Sequence, residues 1–122
     1  MSQLSEARRD FARSPPFILL WWAAPMVIGN VANAMRLTLT ANAAVWALCL
    51  IWMATGCVLN AARCHRLHCF VSGPVLLAGA AGAGLIAAGV SLAPFTLNTV
   101  LWTAFGLALA SFAPEFLWRR YV

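Results

Sequence analysis

Long apolar runs, separated by short polar or proline-containing breaks, dominate this chain. The first run covers about residues 17–35 and has Pro25 near its middle. The second covers about residues 41–62 and is not interrupted by proline. Runs of this length match the roughly 20 apolar residues that a helix needs to cross a bilayer. The pattern therefore predicts two membrane-spanning helices in the first half of the chain.

The second half contains a much longer uncharged stretch, from Phe70 to Pro114. A single helix of that length would reach about 68 Å, more than twice the roughly 30 Å hydrocarbon core of a bilayer. The chain must therefore fold back, and residues 91–96, with a proline among them, are the predicted turn. This gives a third span over about 74–92 and a fourth over about 97–118.

The predicted third span opens with a cap and is rich in small residues. Ser72 is expected to cap the helix, with Pro74 in its first turn, where a missing N–H costs least. Small residues let membrane helices approach closely. We therefore expect this span to pack against another helix, of this chain, of a second copy or of a membrane partner. Its glycines are Gly79, Gly82, Gly84 and Gly89.

Composition and charge strengthen the membrane assignment. The chain has 122 residues, is 63% hydrophobic and is only 9% charged, whereas soluble domains carry about 25% charged residues. We therefore predict one all-α domain, residues 1–122, built as an integral membrane four-helix bundle in contact with lipid. The net charge of +5 is explained by arginines at the ends of the spans, so no nucleic-acid partner is expected.

The arginines also predict the orientation. With four spans, one side carries seven of them and the other carries Arg36 alone. The positive-inside rule assigns the crowded side to the cytoplasm. Both termini are then cytoplasmic, in a multi-pass protein of the inner (cytoplasmic) membrane. The seven are Arg8, Arg9, Arg13, Arg63, Arg66, Arg119 and Arg120.

Chemistry-bearing side chains concentrate between the second and third spans. The cluster at residues 63–69 holds Cys64, His65, His68 and Cys69, and Cys57 lies two helical turns earlier. Cytoplasmic cysteines are normally reduced, and neighbouring arginines favour the thiolate. Thiolates and imidazoles together suit soft ions such as mercury(II) and copper(I), and also zinc. The sequence predicts these five residues as metal ligands.

The local conformation of the cluster is left open. If the second helix continues, Cys64 and His68 lie four residues apart on one face, and His65 and Cys69 lie on the next. If the segment is a loop, Cys64 and Cys69 converge with one histidine. The supporting residues are predicted to be Asn60, Arg63, Arg66 and Glu115. None of these is assigned a catalytic role, because no hydrolase or phosphate-binding motif is present, and we expect a binding protein rather than an enzyme.

The string Cys57-x-x-Asn60-Ala61-x-Arg63-Cys64-x-Arg66-x-His68-Cys69-x-x-x-Gly73-Pro74 resembles the signature of a group of small, poorly characterised four-span membrane proteins of bacteria and archaea. The later Pro114-Glu115…Arg120-Tyr121 is similar to their tail. This resemblance implies a four-span architecture and a site at the cluster. Mercuric-ion uptake proteins are similar in size and in having cysteines on membrane helices, but they use closely spaced cysteine pairs that this chain lacks.

Three functions remain as hypotheses. The first is binding of a soft metal ion at the cytoplasmic face, for transport or hand-over, with Cys57 as an inner station. The second is thiol redox chemistry, in which Cys64 and Cys69 cycle between dithiol and disulfide with a quinone or a partner protein. The third is a non-catalytic subunit that packs against a larger membrane complex through the glycine-rich third span.

Overall fold

A computed structural model describes Asp10 and residues 13–117, and for Cys64 it describes the backbone alone. Within this part of the chain the regular structure is helical, without β-strands. The elements in order are α1 (Pro15–Ile18), a π-helical segment (Leu19–Ala23), α2 (Ala24–Ala34), α3 (Leu39–Cys64), α4 (Leu67–Ala87), α5 (Leu97–Ala110) and α6 (Ala113–Leu117).

Within residues 13–117, four helical stretches are long and apolar enough to cross a membrane, as predicted. They are Pro15–Ala34, Leu39–Arg63, Leu67–Ala87 and Leu97–Leu117. Length and composition therefore confirm an all-helical chain with four candidate spans. Trp118, the last residue of the predicted fourth span, lies outside the described residues.

The third span differs from the prediction, because α4 begins at Leu67 rather than near Pro74. Arg66 is extended and precedes the first turn of α4, so Pro74 lies inside the helix and Ser72 is not its cap. An internal proline removes one backbone hydrogen bond and crowds the preceding turn. Membrane helices tolerate this where packing against neighbours compensates. The consequence is that His68 and Cys69 are helical residues of α4.

The first span is irregular around Pro25. The π-helical segment directly precedes Pro25, and the N–H of Ala24 donates to the carbonyl of Leu19, five residues earlier. Proline has no N–H and its ring crowds the carbonyl four residues before it. The wider π turn makes room for that ring without ending the helix. The span that the sequence interrupts with proline is therefore continuous.

Two tryptophan–glycine contacts join the first span to α3. A Cβ added at Gly29 would come within 2.6 Å of the Trp46 ring, and one added at Gly56 would come within 3.0 Å of Trp21. Each indole therefore lies against bare backbone of the opposite helix. Asn33 adds a polar contact, because its Oδ1 accepts from Trp46 Nε1 at 3.1 Å.

Helix α4 packs against α5 through its glycines. A Cβ at Gly79 would lie 2.8 Å from Ala104 Cβ, and one at Gly82 would lie 3.1 Å from Val100. Around Gly84 there is open space. The prediction that small residues of this span mediate helix packing is confirmed for Gly79 and Gly82, within the same chain. An external partner at this span stays a prediction.

The predicted fold-back between the third and fourth spans is also observed, between α4 and α5. Gly89 has a φ of +84°, a conformation that glycine adopts without strain. The Val90 N–H donates to the Leu85 carbonyl at 2.9 Å, and the Gly89 N–H donates to Ile86 at 3.0 Å. This pair of bonds is a Schellman motif. Thr96 then caps α5 by accepting from the Thr99 N–H.

Replacing Gly79 by leucine tests the α4–α5 contact. The new side chain has no room against Ala104, so we expect a loss of about 1–3 kcal/mol in the free energy of unfolding. Gly84→Leu is the matched control, since open space surrounds that position. Thermal unfolding in detergent should show a lower Tm for Gly79→Leu than for Gly84→Leu. Equal melting temperatures would contradict the packing described here.

Candidate functional site

The connection between α3 and α4 is two residues long and folds the predicted cluster into a helical hairpin. His65 adopts a left-handed conformation, with φ of 52°, and ends α3. Arg66 is extended, and α4 begins directly after it. The cluster is therefore neither a continuous helix nor a loop. Because the two helices run side by side from this turn, residues on α3 before it face residues on α4 after it.

Cys57 of α3 and Cys69 of α4 meet across this hairpin. Both residues are only 2% exposed, they belong to the same buried cluster, and their thiols are near enough to influence each other. Gly73 permits the approach, because a Cβ there would lie 3.2 Å from a methyl of Val58 and 3.8 Å from Cys57 Cβ. The two sulfurs thus form a buried pair at the end of the bundle that carries the turn. We call Cys57 and Cys69 the thiol pair.

Hydrogen-bonding groups surround both sulfurs. Ser72 Oγ donates to Cys57 Sγ at 3.4 Å, and Asn60 Nδ2 donates to Cys69 Sγ at 3.5 Å. His68 Nε2 lies 3.4 Å from Cys69 Sγ. Each sulfur therefore has hydrogen-bonding partners inside an otherwise apolar core.

Glu115 fixes the orientation of His68. Its Oε1 lies 2.6 Å from His68 Nδ1 and accepts the backbone N–H of His68 at 3.0 Å. That N–H belongs to the first turn of α4, where amides have no partner within the helix. Phe112 stacks on the imidazole with ring centroids 4.0 Å apart. With Nδ1 held by the carboxylate, Nε2 is the nitrogen that faces the sulfur.

Arg66 joins the site to the N-terminal segment. Its Nη1 lies 2.6 Å from Asp10 Oδ2, and its Nη2 lies 3.3 Å from Glu115 Oε2. Burial lowers the pKa of the Arg66 guanidinium, but the hydrogen bonds and negative charges of Glu115 and Asp10 outweigh burial and raise that pKa. Asp10 also accepts from Asn60 Nδ2 at 2.9 Å. The beginning, middle and end of the chain therefore converge here.

The predicted site residues separate into two groups. The structure brings together Cys57, Asn60, Arg66, His68, Cys69 and Glu115. His65 is exposed, and its ring stacks on Phe70 at 6.2 Å rather than joining the thiol pair. Arg63 is exposed in the last turn of α3, where a positive charge suits the helix dipole. The Cys64 side chain lies outside the described part of the chain, so its role as a ligand stays a prediction.

The sequence reasoning missed Asp10 and Ser72. Asp10 is one of three acidic residues in the chain, and its side chain is fully buried against Arg66. A carboxylate that is buried in so apolar a chain needs a partner. The small number of acidic residues was therefore the signal in the sequence that could have identified Asp10. Ser72 had been interpreted as a helix cap, because Pro74 suggested a helix start.

Among the described residues, no group of three or more His, Cys, Asp and Glu side chains is arranged to hold a metal ion. Two neighbouring buried thiols, with one imidazole nitrogen beside Cys69, are what this part of the chain offers. That set has too few ligands for a structural zinc site, which takes four.

Comparison of the chain with protein-family models, curated proteins and solved structures finds no match. The resemblance to small four-span proteins of bacteria and archaea therefore stays a prediction. The interpretation of the site depends on its own geometry.

Replacing Arg66 by methionine tests the charged network. The change leaves the buried carboxylates of Asp10 and Glu115 without their cation, and losing one partner of a buried ion pair costs about 3–5 kcal/mol. We expect a clearly lower Tm in detergent. Arg36→Met, at an exposed position, is the control and should change Tm little. Similar shifts for the two variants would argue against a structural network at Arg66.

Proposed function

We propose that this chain is a small multi-pass protein of the cytoplasmic membrane that binds a soft metal ion at its cytoplasmic face. The ion sits between Cys57 and Cys69. One observation carries this proposal: two buried thiols on facing helices of the hairpin, both bordered by hydrogen-bonding groups. Soft thiolate ligands select copper(I), and mercury(II) shares this preference.

The number of ligands narrows the choice of ion. Two sulfurs suit an ion of low coordination number, since the described residues provide no group of three ligands. Zinc is less well served, because its structural sites are four-coordinate and tetrahedral. We therefore favour copper(I) or mercury(II) over zinc among the three ions that the sequence suggests.

Charge supports binding of a cation at this place. Asp10 and Glu115 together carry two negative charges, and Arg66 carries one positive charge, so these three groups sum to −1. An ion that replaces thiol protons therefore meets more carboxylates than cations among these three groups. His68 assists, because with Nδ1 held by Glu115 its Nε2 can take the proton of the Cys69 thiol. Binding then weakens as pH falls, since protons compete for the ligands.

Metal titration of single variants tests the site. Under anaerobic reducing conditions, we expect the purified protein to bind about one silver(I) or copper(I) ion. Cys57→Ser and Cys69→Ser should each lose most of this affinity, because a hydroxyl is a poor ligand for soft ions. Thr55→Val, on the exposed side of α3, is the control. Cys64→Ser decides whether that thiol takes part. Parent-like binding by both Cys57→Ser and Cys69→Ser would refute the proposal.

A second candidate is thiol–disulfide chemistry at the same pair. It is favoured by the arrangement Glu115–His68–Cys69, in which a base oriented by a carboxylate lies beside a thiol. The two thiols would lose two protons and two electrons and form one S–S bond. A lipid-soluble quinone would take up the two protons and the two electrons and become a quinol. The sequence suggested Cys64 as the partner of Cys69, whereas the described contact favours Cys57.

The same preparations separate the two candidates. Oxidation by a quinone should produce a Cys57–Cys69 linked peptide in non-reducing mass spectrometry if redox chemistry is the function. Stoichiometric metal that survives purification, with no quinone-dependent disulfide, supports the binding function. A quinone-dependent disulfide without metal binding supports the second candidate and rejects the first.

Introduced cysteines test the orientation. The arginine distribution places the α3–α4 turn in the cytoplasm. In intact cells, a membrane-impermeant thiol reagent should label Ser91→Cys, in the turn between α4 and α5, and spare His65→Cys, in the α3–α4 turn. Both positions are exposed in the structure, so access differs only by membrane side. Labelling of His65→Cys alone would invert the topology.

A further inference from the structure

Three buried positions of helix α3, spaced four residues apart, carry sulfur. Cys49, Met53 and Cys57 are 3%, 0% and 2% exposed, respectively. Side chains four residues apart are neighbours on one face of a helix, and each step rises about 6 Å. These residues therefore form a sulfur column that starts at the thiol pair and runs about 12 Å into the bundle.

A cavity continues from this column. It has a volume of about 490 Å³ and lies between α2, α3 and α5. Its wall contains thioethers and carboxamides: Met26, Asn30, Asn33, Met53 and Asn98. Asn33 is near the end of α2, and Asn98 is near the start of α5. Both therefore lie towards the end of the bundle opposite Arg66, and the cavity extends away from the thiol pair. Met53 belongs both to the sulfur column and to the wall of this cavity.

We propose that this protein moves a soft monovalent cation, copper(I) or silver(I), along that route. The ion passes between the thiol pair and Met53, and through the cavity past Met26 towards Asn33 and Asn98. This inference rests on the proposed metal site and adds a path and a selectivity that the site alone does not give. No electron or covalent change is involved, because the ion only exchanges one set of ligands for another.

The ligand chemistry selects the ion. Thioethers bind copper(I) but are not ligands that zinc, magnesium or calcium prefer. A neutral thioether also holds a cation less tightly than a thiolate does. Conduction requires sites that are favourable enough to enter and weak enough to leave, and Met53 between the thiol pair and the cavity meets this condition.

The charge of the ion matters as well. The cost of moving an ion into a medium of low dielectric constant grows with the square of its charge, and it is already large for a single charge. A monovalent ion is therefore far cheaper to carry past Met53 than mercury(II) or zinc. The carboxamides of Asn30, Asn33 and Asn98 supply polar groups along the rest of the cavity.

Methionine and cysteine are also common fillers of buried space, so the test must separate sulfur from shape. Met53→Leu removes the thioether at nearly constant volume, and Met53→Cys restores a soft ligand in a smaller side chain. Met35→Leu, at a methionine that is 67% exposed, is the matched control. Each variant is reconstituted in vesicles, silver(I) uptake is measured by elemental analysis, and binding and Tm are measured in detergent.

We expect the parent and Met35→Leu to take up silver(I). Met53→Leu should bind silver(I) as tightly as the parent but transport it about tenfold more slowly. A tenfold change in rate corresponds to about 1.4 kcal/mol at one step. Met53→Cys should recover uptake. If Met53→Leu fails to fold, Met26→Leu serves instead, with the same expected slowing.

The outcomes separate the path from the site. Parent protein that binds silver(I) but does not transport it, or Met53→Leu that transports at the parental rate, overturns the path and leaves the metal site standing. Slow uptake by both Met53→Leu and Met53→Cys assigns Met53 to packing and also overturns the path. If every cysteine variant binds silver(I) as tightly as the parent does, the metal site itself is overturned.

Discussion

The ion pairs of Arg66 with Asp10 and Glu115 are the interaction on which the site depends. A guanidinium with two carboxylates is costly to bury unless each group is paired and hydrogen-bonded, and here each carboxylate has a further partner. Asp10 accepts from Asn60, and Glu115 accepts from the backbone and ring of His68. The same bonds that neutralise the charges therefore hold the groups that touch the sulfurs. Charge and thiol chemistry are parts of one assembly.

The apolar part of the bundle sets the distances within that assembly. Gly73 brings α4 close to Cys57, while the contacts of Gly79 and Gly82 fix α5 against α4. Because α5 leads directly into α6, this packing also decides where Glu115 lies relative to His68. A displacement of α5 would change the orientation of the imidazole before it changed the sulfurs. The glycine contacts in the middle of the bundle thus determine the geometry at its end.

The sequence predicted much of the fold because length and hydropathy alone define candidate spans. It also singled out the region of the α3–α4 turn, where the structure brings Cys57, His68 and Cys69 together. The pairing was harder to predict. Cys64 and Cys69 are close in sequence, but the left-handed residue His65 and the extended Arg66 reverse the chain and bring Cys69 towards Cys57 instead. No local sequence pattern marks this two-residue break between α3 and α4. Pro74 instead suggests that the helix starts later.

The spacing of residues along the sequence could not predict the long-range ion pairs. Asp10 and Arg66 are separated by 56 positions and Arg66 and Glu115 by 49, so no periodicity relates them. Their scarcity is the clue: a chain with three acidic residues that buries two of them must pair them. Glu115 is predicted from the sequence as a supporting residue of the site, but its pairing with Arg66 is not.

The convergence of Asp10, the α3–α4 turn and α6 has a consequence for biosynthesis. A nascent chain that has emerged only as far as α5 lacks Glu115, so Arg66 has half of its counter-charge and His68 has neither its carboxylate nor the stacking of Phe112. The thiol pair is therefore left without its oriented base until α6 has been synthesised. A product truncated after α5 would keep both thiols yet lack the finished centre, so the synthesis of α6 is the step that completes it.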